Sequence, residues 1–205
     1  MLVDLKVKDF IAQVASDSPA PGGGSVAALS ASLGAGLLSM LANLTAGKKG
    51  YEDSWNEMEK TAARAKNAAE GFLKTIDEDT AAFNVYMDAI KMPKDTDAQK
   101  AERSAAMQTA AKGATNVPLQ LARDAFSLFA PVEYAIKHGN KNATSDGAVA
   151  LVMLRSGVLA ALYNVRINLG GIKDEEFVKA VAKEADDLER AVMVREKEIL
   201  AGVEL

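Results

Sequence analysis

Cysteine is absent from this chain and histidine occurs once, so two large classes of chemistry drop out before any pattern is sought. Without cysteine there is no disulfide, no thiolate nucleophile and no cysteine-containing metal site, a composition that fits a reducing cytoplasm. With His138 alone, a histidine metal cluster is excluded. A Ser/His/Asp triad would depend on that one ring, which precedes Gly139 at an expected helix end, where a histidine commonly serves the last carbonyls. Excess positive charge is missing too. The net charge of −4 argues against a nucleic-acid partner, because phosphate recognition needs a basic face. Small anionic ligands stay open to local basic residues. The N-terminal residues lack the charged start and apolar run of a signal peptide and read as an amphipathic turn.

No linker-like stretch interrupts the 205 residues, so a single domain over 1–205 is expected. Sustained strand alternation is also missing and β-branched clusters are sparse, which leaves an all-α bundle of six to eight helices. Charge disappears locally from Ser18 to Gly47, a length that would span a bilayer. Ser25, Ser30, Ser32 and Ser39 interrupt that stretch, and much of the rest is Ala or Gly with little transfer free energy. A buried helix is therefore favoured and no membrane partner is expected.

What is present is helical periodicity. Val7, Phe10, Ile11 and Val14 predict a short first helix, Ser18 to Gly24 a loop, and Ser25 the N-cap of a second helix reaching about Ala46. On that helix Leu29, Leu33, Leu37, Leu41 and Leu44 share one face, while Ala28, Ser32, Gly36, Ser39 and Asn43 share the other. Such a division suits the middle of a bundle or a subunit interface. Asp53 or Ser54 is expected to cap a long third helix stopped by Pro93, and Asp95 to open a fourth in which Pro118 marks a kink or a new start. The pattern resumes beyond Pro131 and closes at His138. Thr144 or Ser145 is the expected cap of the next helix, Gly170-Gly171 its end, and Asp174 the cap of the last.

The third helix holds the most informative residue. Trp55, Met58, Ala62, Ala65, Ala69, Phe72, Ile76, Asp79, Phe83, Tyr86 and Ile90 follow one another in steps of three and four, so a carboxylate interrupts an otherwise apolar seam. Partial burial there would raise its pKa and make it a proton donor and acceptor near neutral pH. An aspartate paired across a helix interface is the competing reading. Asp77 and Glu78 fall off the seam. Gly22-Gly23-Gly24-Ser25, directly before a helix, would let backbone approach an anionic or carbonyl ligand, or would serve as a tightly packed hinge. It is neither a P-loop nor a dinucleotide fingerprint. Lys48 and Lys49, in a second glycine break, either hold a carboxylate tail or are simply solvated. Asn164 and Asn168 share a helix face and suit a heteroaromatic ligand, each other, or a neighbouring helix end. Asn140, Ser145 and Asp146, in the polar loop entering that helix, are further candidate contacts.

Taken in order, Ala20-Pro-Gly-Gly-Gly-Ser-Val-Ala-Ala28, Gly47-Lys-Lys-Gly-Tyr51, Ile76-Asp-Glu-Asp-Thr-Ala-Ala-Phe83, Met92-Pro-Lys94, Val117-Pro118, Gly139-Asn140 with Ser145-Asp146, and Tyr163-Asn-Val-Arg-Ile-Asn-Leu169 resemble the cyclodeaminase/cyclohydrolase family of folate one-carbon enzymes, in its stand-alone bacterial form. The match runs over essentially the whole chain. The resemblance implies an all-helical homodimer acting on tetrahydrofolate derivatives, possessing one or more glutamates, without metal or other cofactor. It implies a catalytic aspartate at Asp79, with Asp77 second. It further implies roles for Gly22, Gly23, Gly24, Ser25, Asn140, Ser145, Asp146, Asn164 and Asn168 around the pterin, and for Lys48 or Lys49 at the glutamate tail. Cyclodeaminase chemistry is placed ahead of cyclohydrolase. The reading from another class is a non-catalytic helical interaction protein, in which Asp79 fixes register and reduced folates do not bind.

Overall fold

A computed structural model describes residues 1–203; Glu204 and Leu205 lie outside the described residues. Each periodic stretch forms helix, and among the described residues there is no strand. The helices are α1 (Val7–Val14), α2 (Gly23–Asn43), α3 (Trp55–Lys91), α4 (Asp97–Phe126), α5 (Phe129–His138), α6 (Thr144–Leu169) and α7 (Glu175–Ala201), with short 3-10 turns at Leu2–Asp4, Glu52–Ser54 and Lys141–Ala143. Helix α2 is central. It lies between α3 and α6, its two most extensive partners, and α4 and α7 pack on α6. By length and composition, α2 and the segment Lys141–Leu169 would each reach across a membrane. Here both serve as core helices, with 61% and 44% of their most apolar windows buried inside the fold.

Helix α2 lies in the middle of the bundle, and the stripe it buries follows neither of its two sequence faces outright. The inward stripe is mostly small: Ala27, Ala28, Ala31, Ala35 and Ser25 are fully buried, joined by Leu38 and Leu41, while Gly36 and Asn43 of the small face are exposed. Most of its leucine stripe stays outside, with Leu33 and Leu44 exposed and Leu29 and Leu37 half-buried. Small residues explain the choice, because they let two backbones come close. At Gly34 an added Cβ would fall 2.8 Å from the Ala150 carbonyl, and at Gly157 2.9 Å from the Ala31 Cβ.

Close approach also lets serines reach carbonyls on the next helix. Ser25, Ser32 and Ser39 each donate to α3, to the carbonyls of Ile76, Ala69 and Ala62, all at 3.1 Å. The donors are seven apart and so are the acceptors, which is the repeat of two helices in a coiled-coil contact. This ladder fixes the register of α3 on α2. It sets Asp79, one turn beyond Ile76, beside the first turn of α2.

Several expected helix ends are corrected. Helix α2 starts at Gly23 with Gly22 at the N-cap, so Ser25 is inside the first turn and does not cap it. Thr96, rather than Asp95, caps α4 through a reciprocal pair with Gln99: the Gln99 N–H donates to Thr96 Oγ1 at 3.2 Å and the Thr96 N–H to Gln99 Oε1 at 3.0 Å. Ala143 takes the N-cap position of α6 in place of Thr144 or Ser145, and no side chain bonds there. Asp174 caps α7 as expected, accepting from the Phe177 N–H at 3.1 Å. Ser54 precedes α3 without a side-chain cap bond.

Pro118 neither breaks α4 nor starts a new helix; α4 runs through it. A proline inside a helix has no N–H for the carbonyl four residues back, here that of Ala114. Asn168 Nδ2, reaching over from α6, donates to that carbonyl at 2.8 Å. The freed acceptor is thereby satisfied and α6 is tied to α4. His138 ends α5 exposed to solvent, its ring 4.6 Å from that of Tyr134.

Candidate active site

Where α3 outruns α2, its second half forms one wall of a cavity of about 390 Å³. A helix of 37 residues is about 55 Å long, against about 30 Å for the 21 of α2, so an overhang is unavoidable. The seam that is buried through Met58, Ala62, Ala65, Phe72 and Ile76 leaves the core at this point. Its next members, Asp79, Phe83 and Tyr86, turn from core residues into pocket wall. Gly22, Gly23 and Gly24 bring the first turn of α2 to the opposite side. Asn164, Ile167 and Asn168 from the end of α6, Gly171 just beyond it, Ala111 and Ala114 from α4, Thr80, and the Pro19-Ala20 segment complete the lining.

Asp79 is half-buried, and burial pushes its carboxyl above the ordinary value of 3.8. Hydrogen bonds from the hydroxyl and backbone of Ser25 oppose that rise without cancelling it. The Ser25 hydroxyl is 3.0 Å from Asp79 Oδ2, 3.1 Å from the Ile76 carbonyl oxygen and 3.4 Å from Thr80 Oγ1. Gly24 exists for this contact: a Cβ there would fall 2.0 Å from Asp79 Oδ1. No hinge reading accounts for that, since the glycine is a hole shaped around a carboxylate.

The two asparagines are anchored through their amide nitrogens. Asn164 Nδ2 donates to the Ala160 carbonyl and Asn168 Nδ2 to that of Ala114, both at 2.8 Å. A carbonyl partner fixes which end of an amide is nitrogen. Oδ1 of each is thus the end left over, without a protein partner among the described residues. Gly23 makes room for Asn164, whose Nδ2 lies 3.1 Å from where a Cβ would be.

Of the residues singled out in the sequence, Gly22, Gly23, Gly24, Asp79, Asn164 and Asn168 meet in this cavity. Ser25 is fully buried beneath it and acts on Asp79 instead of lining the wall. Asp77 is elsewhere: its Oδ1 accepts the Leu2 N–H at 2.7 Å and holds the N-terminal turn to α3. Its Oδ2 is buried without a partner. Lys48, Lys49, Asn140, Ser145 and Asp146 are also not brought to the cavity. Ser145 precedes Asn164 by nineteen helical residues, about 28 Å along α6.

At that far end the polar groups make a joint. The Asn140 N–H donates to Thr45 Oγ1 at 2.9 Å and its Nδ2 to the Leu44 carbonyl at 3.2 Å. Tyr51 Oη accepts the Lys141 N–H at 3.1 Å. Gly47 and Gly50 have φ of 74° and 91°, left-handed values that explain the glycines without a ligand. Among the described residues no group of three or more His, Asp or Glu is placed to hold a metal ion.

Phe83, Tyr86, Ala111, Ala114 and Ile167 were not named as site residues from sequence. Phe83 and Tyr86 had a signal, since they follow Asp79 at steps of four and three on the same face. The alanines had none, because a small residue that makes space looks like any other helix former.

A family model described as formiminotransferase-cyclodeaminase matches residues 6–187. A methenyltetrahydrofolate cyclohydrolase of Methylorubrum extorquens is 36% identical over 182 residues, covering 89% of this chain and 88% of that protein. The formimidoyltransferase-cyclodeaminase of Gallus gallus is 38% identical over 176 residues, which are 86% of this chain but 32% of that longer one. The crystal structure of a formiminotetrahydrofolate cyclodeaminase from Thermotoga maritima matches with a TM-score of 0.87 at 31% identity, covering 98% of each chain.

Proposed function

Because this chain belongs to the formiminotransferase-cyclodeaminase family, we propose that it is a folate one-carbon enzyme acting on the carbon between N5 and N10, and that its reaction is the conversion of 5-formiminotetrahydrofolate to 5,10-methenyltetrahydrofolate with release of ammonia. The observation that carries this reading is Asp79, a carboxyl with its pKa raised by burial, at the wall of a cavity of suitable size for a small heteroaromatic ligand. Phe83 and Tyr86 offer the flat ring a surface, and Oδ1 of Asn164 and Asn168 offer acceptors to the N–H groups of a pterin.

The chemistry needs one proton moved twice. N10 attacks the carbon of the protonated formimino group, N5–CH=NH2+, a C–N bond forms as the C=N double bond becomes single, and the tetrahedral carbon then expels its amino group as ammonia, leaving the positive charge on the methenyl bridge. Asp79 takes the N10 proton as base and returns it to the departing nitrogen as acid. Its negative charge also favours the cationic methenyl bridge. Ser25 suits both forms of the carboxyl. Its single hydrogen serves one acceptor at a time, so it donates to ionised Asp79; when Asp79 is protonated it accepts instead and turns its hydrogen to the Ile76 carbonyl. The atoms and charge balance by proton transfer alone, so no cofactor or metal is proposed.

The likeness to the Methylorubrum cyclohydrolase over 88% of that protein favours a second reading. There water adds to the methenyl bridge and the ring opens to 10-formyltetrahydrofolate, with Asp79 removing the water proton. An absorbance assay of the methenyl chromophore with each substrate decides between them, because one reaction creates it and the other consumes it. No change with either substrate would overturn both. A homodimer in a reducing cytoplasm completes the proposal, the dimer supported by the leucine stripe that α2 leaves outside.

A further inference from the structure

The outer face of the α2/α6 layer is apolar from end to end. Leu33 and Leu44 on α2 are 52% and 48% exposed, and Val149, Val152, Tyr163 and Ile167 on α6 are 49%, 39%, 67% and 77% exposed. At one end of this face Ile167 is also part of the cavity wall. At the other stands the Gly47–Tyr51 turn, held rigid by the Trp55 Nε1 bond to the Lys48 carbonyl at 2.9 Å and by the Gly50 N–H on the Glu52 carboxylate at 2.9 Å. Lys48 and Lys49 project from it, exposed and without an ion pair among the described residues.

The cavity has the opposite deficiency. None of its lining residues is Lys or Arg, while Asp79 adds a carboxyl. A folate carries at least two carboxylates on its glutamate, and these need a cation at the cavity mouth. Within one chain, the lysine pair is a helix length away.

From this geometry we infer that a second copy of the chain packs on the α2/α6 face about a two-fold axis lying across the helices, so that Lys48 and Lys49 of each copy reach the mouth of the other's cavity and hold the substrate's carboxylates. This rests on the folate reading above. The two-fold axis lies in the plane of the face, and its limiting directions are along the helices and across them. An axis along the helices sets the two lysine pairs against each other, which like charge opposes. An axis across them sets each pair over the other copy's cavity end, at Ile167, because α2 and α6 each run the length of the face. The lysine turn, which is distant from the cavity in one chain, becomes part of the site in the pair.

Subunit mixing tests it. The Lys48→Ala/Lys49→Ala double variant should raise KM about tenfold with kcat nearly kept, the signature of lost binding without lost chemistry. The Asp79→Asn variant is inactive. Mixed one to one and assayed well below KM, separate homodimers would give about a twentieth of wild-type activity. Exchange into heterodimers that share sites should lift this to about a quarter, since each heterodimer then holds one site with both Asp79 and the lysines. No rise after exchange, or an unchanged KM in the lysine variant, overturns the inference. A KM rise in Lys173→Ala alone would do so too, Lys173 being the cation two residues beyond Gly171 in the cavity wall.

A second measurement does not depend on the reaction. The chain has no cysteine, so a short bismaleimide sees introduced thiols alone. The Lys49→Cys/Ile167→Cys double variant should give a covalent dimer, and neither single variant should. A monomer in sedimentation, or cross-linking by Lys49→Cys alone, sinks the arrangement. If Asp79→Asn retains turnover while the double variant cross-links, the proposed catalytic role has failed and the paired geometry has not.

Discussion

The two ends of the α2/α6 pair hold similar residue types and use them in opposite ways. Each has glycines, asparagines and a hydroxyl near a helix terminus. At the far end the glycines are there for left-handed φ values, and the asparagine is fully engaged: Asn140 uses its backbone N–H, Nδ2 and Oδ1 to join Thr45, Leu44 and Asn142. At the cavity end the glycines are there for space, and the polar side chains are anchored by one atom with another left over. Asn164 and Asn168 spend Nδ2 and keep Oδ1; Asp79 is held by Ser25 through Oδ2. A site differs from a joint in what remains unused after the fold has been satisfied.

The sharpest way to break this contrast is Asp79→Asn. Turnover should fall about 100- to 10,000-fold, the range for loss of a general acid and base, with helicity by circular dichroism unchanged. The same variant should be more stable than wild type at neutral pH. With its folded pKa raised, Asp79 binds its proton more tightly in the folded chain than in the unfolded one, so wild-type stability falls as pH rises from the ordinary 3.8 through the raised value and stays lower above it. Melting temperatures of the two proteins should therefore converge below the ordinary value and separate above it, the variant higher. A variant less stable at neutral pH would make Asp79 a structural partner, as the competing reading of the seam has it.

Gly24→Ala tests whether the glycine is there for space. Its Cβ would fall within 2.0 to 2.8 Å of the Asp79 carboxyl group, so the carboxyl has to move. A displacement of about 1 Å costs about 100-fold in kcat when a reacting group is involved. At the far end the glycines would fail differently, through strain in the turn.

Much of the fold was legible, and the residues that misled did so for identifiable reasons. Apolar periodicity marked every long helix, and Asp79 was conspicuous because it broke a seam. Periodicity does not say which face of a helix goes inward when one side is leucine and the other is small. Here close backbone contact and the Ser25, Ser32 and Ser39 ladder set an inward stripe of small residues with Leu38 and Leu41, leaving Leu33 and Leu44 exposed. Nor does a one-dimensional pattern measure distance along a rod. Asn140 and Ser145 belong to motifs as distinctive as Gly22 to Ser25, yet within one chain α2 and α6 hold them about 30 Å from the cavity. Pro118 looked like a break because its usual cost is an orphaned carbonyl, and nothing local reveals that a residue fifty positions away will take that carbonyl up.

Pro118→Ala sharpens the comparison with two effects of opposite sign. The new N–H competes with Asn168 Nδ2 for the Ala114 carbonyl. Helix α4 gains stability, up to about 3 kcal/mol by intrinsic propensity. Asn168 loses its anchor, and kcat/KM should fall about fivefold to tenfold, the scale of one hydrogen bond to a bound ligand. A melting temperature that rises with kcat/KM intact would mean that Asn168 is only a tie between α6 and α4.

Asn140→Ala is the counterpart at the far end and should have the smallest effect on turnover. It removes the bond to the Leu44 carbonyl and the acceptor for the Asn142 N–H at a residue that is 6% exposed. Leaving such groups unpaired costs about 1 to 3 kcal/mol, visible as a lower urea midpoint. The kcat per folded molecule should stay at the wild-type value, because Asn140 is a joint and has no atom to spare for a ligand. A loss of turnover at unchanged stability would erase the distinction between the two ends, since it would require a side chain fully committed to the fold to be acting on substrate as well.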